Sequence, residues 1–232
     1  MPNPAQDFIG VITAIQTKLM DELPVLTTKL TQLTDSELTI IARELDFFSE
    51  LNRHGYSKAV SDLMKEYDDV VVETFRTARA KGIEPSVTSF LSLELAKELD
   101  AETLLGKANE FSSKLKSELL KGIISGENGA SIVSRLRQFE GFEQLSSANL
   151  NMIVNDSFAR FSNSATFKAF EENDQQRYIY TGVLDGVTRQ ACEEVLTNPQ
   201  NEKGFTVDEI GGLKVGLSAR GGFNCRHDWA AV

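Results

Sequence analysis

A chain of 232 residues with 41% hydrophobic content can bury one large core or two ordinary ones without staples. Its formal charge of -10 and isoelectric point near 4.8 exclude a protein that coats nucleic acid through a general basic surface, because neutralising phosphates needs clustered lysine and arginine. Two cysteines are too few for a secreted disulfide framework, and no run of about 18 apolar residues offers a membrane span. The opening Met1-Pro-Asn-Pro-Ala-Gln-Asp7 lacks the basic and apolar regions of a signal peptide, so a soluble chain is expected.

In chain order, Ile12, Ile15, Leu19, Leu23, Leu26, Leu30 and Leu33 recur at steps of three and four, predicting one helix or two broken near Pro24. Thr34-Asp-Ser-Glu37 has the form of a capping box, so a second helix is expected from there. It carries Leu38, Ile41, Leu45, Phe48 and Leu51 and stops at Gly55 as a left-handed cap. His54 falls in the last turn, where an imidazole meets exposed carbonyls, which gives it a structural or surface role. Val60, Leu63, Met64, Tyr67, Val71, Phe75 and Ala78 set a third helix, ended by Gly82. Its carboxylates Glu66, Asp68 and Asp69 point in different directions and read as a solvated face.

Ser86 to Leu99 reads as a short helix, and Asp100 as the N-cap of the next, whose stripe runs Leu104, Leu105, Ala108, Phe111, Leu115, Leu119 and Ile123. Ser125-Gly-Glu-Asn-Gly129 is a turn; without a Gly-Lys-Ser/Thr ending or a preceding strand it is no phosphate loop. Ile132, Val133, Leu136 and Phe139 predict a short helix closed by Gly141, and Ser147 opens a longer one reaching Phe170. At Asn173 the period changes. Tyr178-Ile-Tyr-Thr has strand composition and glycine becomes frequent. The expected fold is α+β and predominantly α-helical: a helical N-terminal region (1–99), a helical segment leading onward (100–172) and a small glycine-rich α+β domain (173–232).

That last stretch holds both cysteines, the only tryptophan and one of the two histidines. Cys192 is expected in a short helix from Thr188 to Leu196, capped by Asp185 or Thr188, and Cys225 in a glycine-flanked loop. Three readings of the pair compete. They are free thiols packed as small apolar residues beside Trp229, or a disulfide contributing about 3 to 4 kcal/mol, or zinc ligands. The zinc set would be Cys192, Cys225 and His227, with Asp185 or Asp228 as fourth, although Cys-x-His is tighter than finger spacing. No cofactor is otherwise called for. A hydrolase would use His227 as general base, yet His227 and Asp228 should diverge on a strand, and no serine nucleophile motif accompanies them.

Tyr180-Thr-Gly-Val-Leu-Asp185-Gly-Val-Thr188-Arg189-Gln-Ala-Cys192, the later Phe205 and Ile210, and the closing Gly-Gly-Phe-Asn224-Cys225-Arg226-His227-Asp-Trp229 resemble the C-terminal domain of tailed-phage minor head proteins, the Mu F-like head morphogenesis family. The resemblance covers about residues 120 to 232; Asn155-Asp156-Ser157 stands where many members carry Arg-Thr-Glu. It implies a structural, non-enzymatic virion component, in the head interior or at the portal vertex, and in the host cytoplasm during assembly. Its implied partners are the portal protein, the major capsid or scaffolding protein and packaged DNA, with multiple copies per virion and no membrane. Asp185, Thr188, Arg189, Cys192, Asn224, Cys225, Arg226 and Trp229 are its pattern residues. Physically they should hold the small domain together: Asp185 caps, the arginines pair with carboxylates or carbonyls, and the cysteines meet across the core. The alternatives are phosphate contact through Arg189 and Arg226, and a metal-dependent phage nuclease centred on His227.

Overall fold

The computed structural model describes residues 4–30, 32, 37, 44–138, 147–171, 173, 176–217, 220–222 and 225–232. Among these, eight helices and two short strands follow in order: α1 (Pro4–Leu30), α2 (Phe47–Arg53), α3 (Tyr56–Ala80), α4 (Val87–Ile124), α5 (Gly129–Arg137), α6 (Ser147–Phe170), β1 (Tyr178–Thr181), α7 (Gln190–Leu196), a 3-10 turn (Pro199–Lys203), α8 (Val207–Gly211) and β2 (Asp228–Ala231). The chain is thus α+β and predominantly helical, as its periodicity predicts. No described helix is long and apolar enough to cross a membrane. Two compact units form, Met1–Leu63 with Ala101–Asn151, and Met64–Asp100 with Met152–Val232.

In the first unit, α1 buries Phe8, Ile12, Ile15, Leu19 and Leu23 and packs against α2 and α5. Pro24 lies inside α1 without ending it. The proline forfeits one intrahelical bond, but the apolar stripe is buried up to Leu23, and fully buried Thr27 bonds Leu23 O at 2.7 Å just beyond. Thr34, Leu38 and Ile41 lie outside the described residues. The helix that stops before Gly55 begins at Phe47, where Asp46 Oδ1 accepts from Phe48 N at 3.0 Å and Ser49 N at 3.1 Å. His54 is its C-cap, with Nε2 3.4 Å from Glu22 Oε2. Gly55 and Gly82 take φ of 102° and 79°, the left-handed stops that the sequence requires after α2 and α3.

The expected break at Asp100 is absent. α4 is one helix of 38 residues, about 57 Å long, opened by Ser86 Oγ accepting from Ser89 N at 3.0 Å. Asp100 sits inside it and accepts from the Tyr67 hydroxyl at 3.1 Å, so the side chain that looks like a cap serves a tertiary contact. Burial pushes its carboxyl above the ordinary value. Asn128 caps α5 by accepting from Ser131 N at 2.9 Å, and Arg135 ties α5 to Glu118 at 2.7 Å. Phe139 and Gly141 lie outside the described residues.

In the second unit, Tyr67 packs on Phe158 and Phe161 at ring distances of 5.3 and 4.3 Å. β1 pairs antiparallel with β2, setting Tyr180 opposite Trp229, and Tyr178 bridges to Phe205. Tyr178 and Tyr180 alternate inward, which buries both against the segment that follows.

Candidate functional site

β1 supplies Tyr180, α7 supplies Cys192, and the loop entering β2 supplies Cys225 and His227. The three metal-type ligand atoms lie within 4.8 Å of one another. Cys192 Sγ is 3.8 Å from Cys225 Sγ, and Cys225 Sγ is 3.5 Å from His227 Nδ1. Both cysteines are free thiols. The Tyr180 hydroxyl stands 3.4 Å from each sulfur and donates to Cys192. The His227 ring stacks on Tyr180 at 5.5 Å, and its Nε2 is 2.9 Å from Val183 O. A carbonyl can only accept, so Nε2 carries a proton and donates it; in the neutral ring Nδ1 is then a lone pair turned toward Cys225.

The two thiols are electrostatically unequal. Burial pushes Cys192 up. Burial also raises Cys225, but hydrogen bonds from Tyr180 and from the His227 backbone N–H outweigh it and bring that thiol down to about 6. Burial, and then the bonds to both sulfurs, push the Tyr180 phenol up. A pocket of about 220 Å³ lined by Val187, Thr188, Arg189, Cys192, Cys225, Arg226 and His227 opens onto the cluster.

The flanking residues take structural positions. Arg226 grips Asp185 with both nitrogens, at 2.7 and 2.9 Å, and holds that carboxyl well below its usual range. Asp185 and Thr188 were expected to cap α7. They close their own turn instead: Val187 N donates to Asp185 Oδ1 at 3.1 Å, and Asp185 N to Thr188 Oγ1 at 2.9 Å. The N-cap of α7 is Arg189, which makes no side-chain cap bond and donates to Gly221 O at 2.9 Å. Asp185 is thereby committed to Arg226, which argues against it as a fourth metal ligand. Asp228 is exposed while His227 is buried, so the two diverge as expected. Trp229 is buried against Tyr180 at 4.8 Å and donates from Nε1 to Gly216 O at 3.1 Å. Asn224 lies outside the described residues.

Four further residues complete the setting. Tyr180 is half of the sulfur environment, and its inward strand position was the available signal. Gly221 abuts the sulfurs so closely that a Cβ there would lie 2.1 Å from Cys192 Sγ and 3.1 Å from Cys225 Sγ. Arg220, only 4% exposed, reaches Asp228 at 2.9 Å and buried Asp156 at 3.5 Å. It does so from a left-handed φ of 51°. No local pattern announces Arg220 and Asp156, because 64 positions separate them.

The class defined by this fold and site is a predominantly helical α+β protein whose second unit carries a Cys-Cys-His cluster beside its two-stranded sheet. Comparisons with protein-family models, curated proteins and solved structures give no match to the chain.

Proposed function

We propose that the chain is a bacteriophage minor head protein, a structural virion component that associates with the portal inside the capsid during assembly. The observation that carries this reading is the convergence of the residues on which the resemblance rests. Asp185 meets Arg226 across 41 positions, Arg189 meets the Gly221 carbonyl across 32, and Cys192 meets Cys225 across 33. The motif therefore acts as a folding unit whose order along the chain is what matters. His227 supports a non-catalytic role: it is 3% exposed, its Nε2 is occupied by Val183 O and its Nδ1 is turned toward Cys225. The fork of Arg226 is taken by Asp185 and Arg189 donates to Gly221 O, so both arginines serve the fold before any contact with packaged DNA.

An apolar face on α4 fits a protein partner. Phe90, Leu91, Leu95 and Leu99 are 44, 60, 57 and 54% exposed at helical spacing. Co-purification of the full chain with the portal protein of the same phage tests the reading. Stable association is expected, and Leu91→Asp with Leu95→Asp should abolish it while unfolding free energy changes by less than about 0.5 kcal/mol. A chain that stays monomeric beside assembled portal rings, or that cleaves DNA in a manner lost with His227→Ala, overturns it.

A further inference from the structure

We propose that Cys192, Cys225 and His227 hold a tetrahedral zinc ion through both sulfurs and His227 Nδ1, with a solvent molecule from the adjoining pocket as fourth ligand. Zinc bonds of about 2.3 Å to sulfur and 2.0–2.1 Å to nitrogen at tetrahedral angles require sulfurs about 3.8 Å apart and a sulfur-to-nitrogen separation of about 3.6 Å. The observed Cys192–Cys225 and Cys225–His227 separations are 3.8 and 3.5 Å, and all three ligand atoms lie within 4.8 Å of one another. Two of the three edges thus match a tetrahedral ion, and closing the third takes only side-chain rotation.

The surroundings match the outer shell of such a site. A ligating histidine characteristically donates its other ring N–H to a carbonyl or carboxylate, which fixes the tautomer and aims the free nitrogen at the metal. His227 does this through Val183 O at 2.9 Å. The Tyr180 hydroxyl, 3.4 Å from each sulfur, can donate to a thiolate, which disperses the charge that two thiolates bring. Asp185 is held by Arg226, so the fourth position falls to the pocket of about 220 Å³.

The rival pairings use less of this arrangement. A disulfide requires the sulfurs to close to about 2.0 Å and leaves His227 Nδ1 with no role. Plain thiol packing accounts for Nδ1 through a Cys225 S–H donated to it, but it gives no reason for all three ligand atoms to lie within 4.8 Å of one another. Bound zinc would fasten α7, the loop at Cys225 and the entry to β2 at one point, adding to the stability of the small sheet.

This inference stands apart from the head-assembly reading, since a zinc-free chain that still binds a portal overturns only the metal site. The test titrates the chelator-treated, fully reduced, full-length chain with zinc chloride and, separately, cobalt(II) chloride. About one equivalent of zinc should survive desalting. Cobalt should give thiolate charge-transfer absorption and the intense visible bands of tetrahedral geometry. Cys192→Ser and Cys225→Ser should each weaken zinc binding by more than about tenfold, and Tyr180→Phe by about tenfold or less. Should a serine variant unfold, the wild-type chain still decides: zinc must slow the reaction of both thiols with a disulfide reagent. Overturning results are no retained zinc, a weak octahedral cobalt spectrum, zinc content unchanged in Cys225→Ser, or thiol reactivity indifferent to zinc.

Discussion

Gly221 shows how tightly the cluster is built. The carbonyl of this residue takes the Arg189 guanidinium, and its α-carbon lies where any side chain would press on the sulfurs. Gly221→Ala should therefore destabilise the second unit by about 1–3 kcal/mol, the range for overpacking a filled core. Gly186→Ala, with nothing within 4 Å of the added carbon, should stay within about 0.5 kcal/mol, and urea unfolding of the two variants makes the comparison. Arg220 and Asp156 form the other residue-scale dependency. Both are at most 5% exposed, and Arg220 Nε has no hydrogen-bond partner among the described residues. Removing Asp156 leaves the buried guanidinium only the exposed Asp228 and the His227 carbonyl, so Asp156→Ala should cost about 1–3 kcal/mol. Replacing the pair by apolar residues should cost much less; equal losses in the single and paired variants would contradict this account.

At the scale of elements, helix ends decide more than helix interiors. α2 has only seven residues, Phe47–Arg53, too few to hold itself together, and it exists because Asp46 satisfies two of its opening N–H groups and Phe47 and Leu51 are buried. Asp46→Ala should lower stability by about 1 kcal/mol, measured by thermal or urea unfolding, while Asp46→Asn should retain most of it. α8 is shorter still and survives on a complete capping box between Thr206 and Glu209. Residues 206 to 209 read Thr-Val-Asp-Glu, a spacing from which the box follows directly. Asp100 shows that residue type alone does not make a cap. It has the right residue type for a cap, but Leu93 and Leu104 are both buried on a continuing stripe, and the helix runs through.

For the molecule as a whole, acid should be the sensitive direction. Asp185 is depressed chiefly by Arg226, Glu194 by Lys214, Glu110 by Lys114, Glu118 by Lys121, Asp46 by the Ser49 hydroxyl and Glu209 by the Thr206 N–H. A carboxyl depressed in the folded state contributes fully above its unfolded value of about 4, and that contribution is lost as pH falls through the lower folded value. Asp100, raised by burial, works in the opposite sense and stabilises on protonation. The depressed groups outnumber it, so unfolding free energy should decline below about pH 4 and flatten above it. Arg226→Ala should shrink the acid decline, because Asp185 then loses the largest cause of its depression and keeps only its bonds to Val187 N and Thr188; an unchanged acid limb in that variant would remove Asp185 from the explanation.

The sequence by itself determined the helical majority, the stops at Gly55 and Gly82, the turn before α5, the long helix reaching Phe170, the strand at Tyr178 and the short C-terminal stretch gathering the cysteines, His227 and Trp229. These are local matters: apolar period, backbone freedom and residue type within a few positions. Tertiary structure alone decided that Pro24 and Asp100 would not break their helices, because buried Leu23 and Thr27 flank Pro24 and a buried stripe runs on both sides of Asp100. It also decided that Asp185 would face Arg226, that Asp156 would reach Arg220, and that Cys192 and Cys225 would stop 3.8 Å apart beside His227 Nδ1. Those distances depend on where strand, helix and loop meet after packing, which no spacing along the chain encodes.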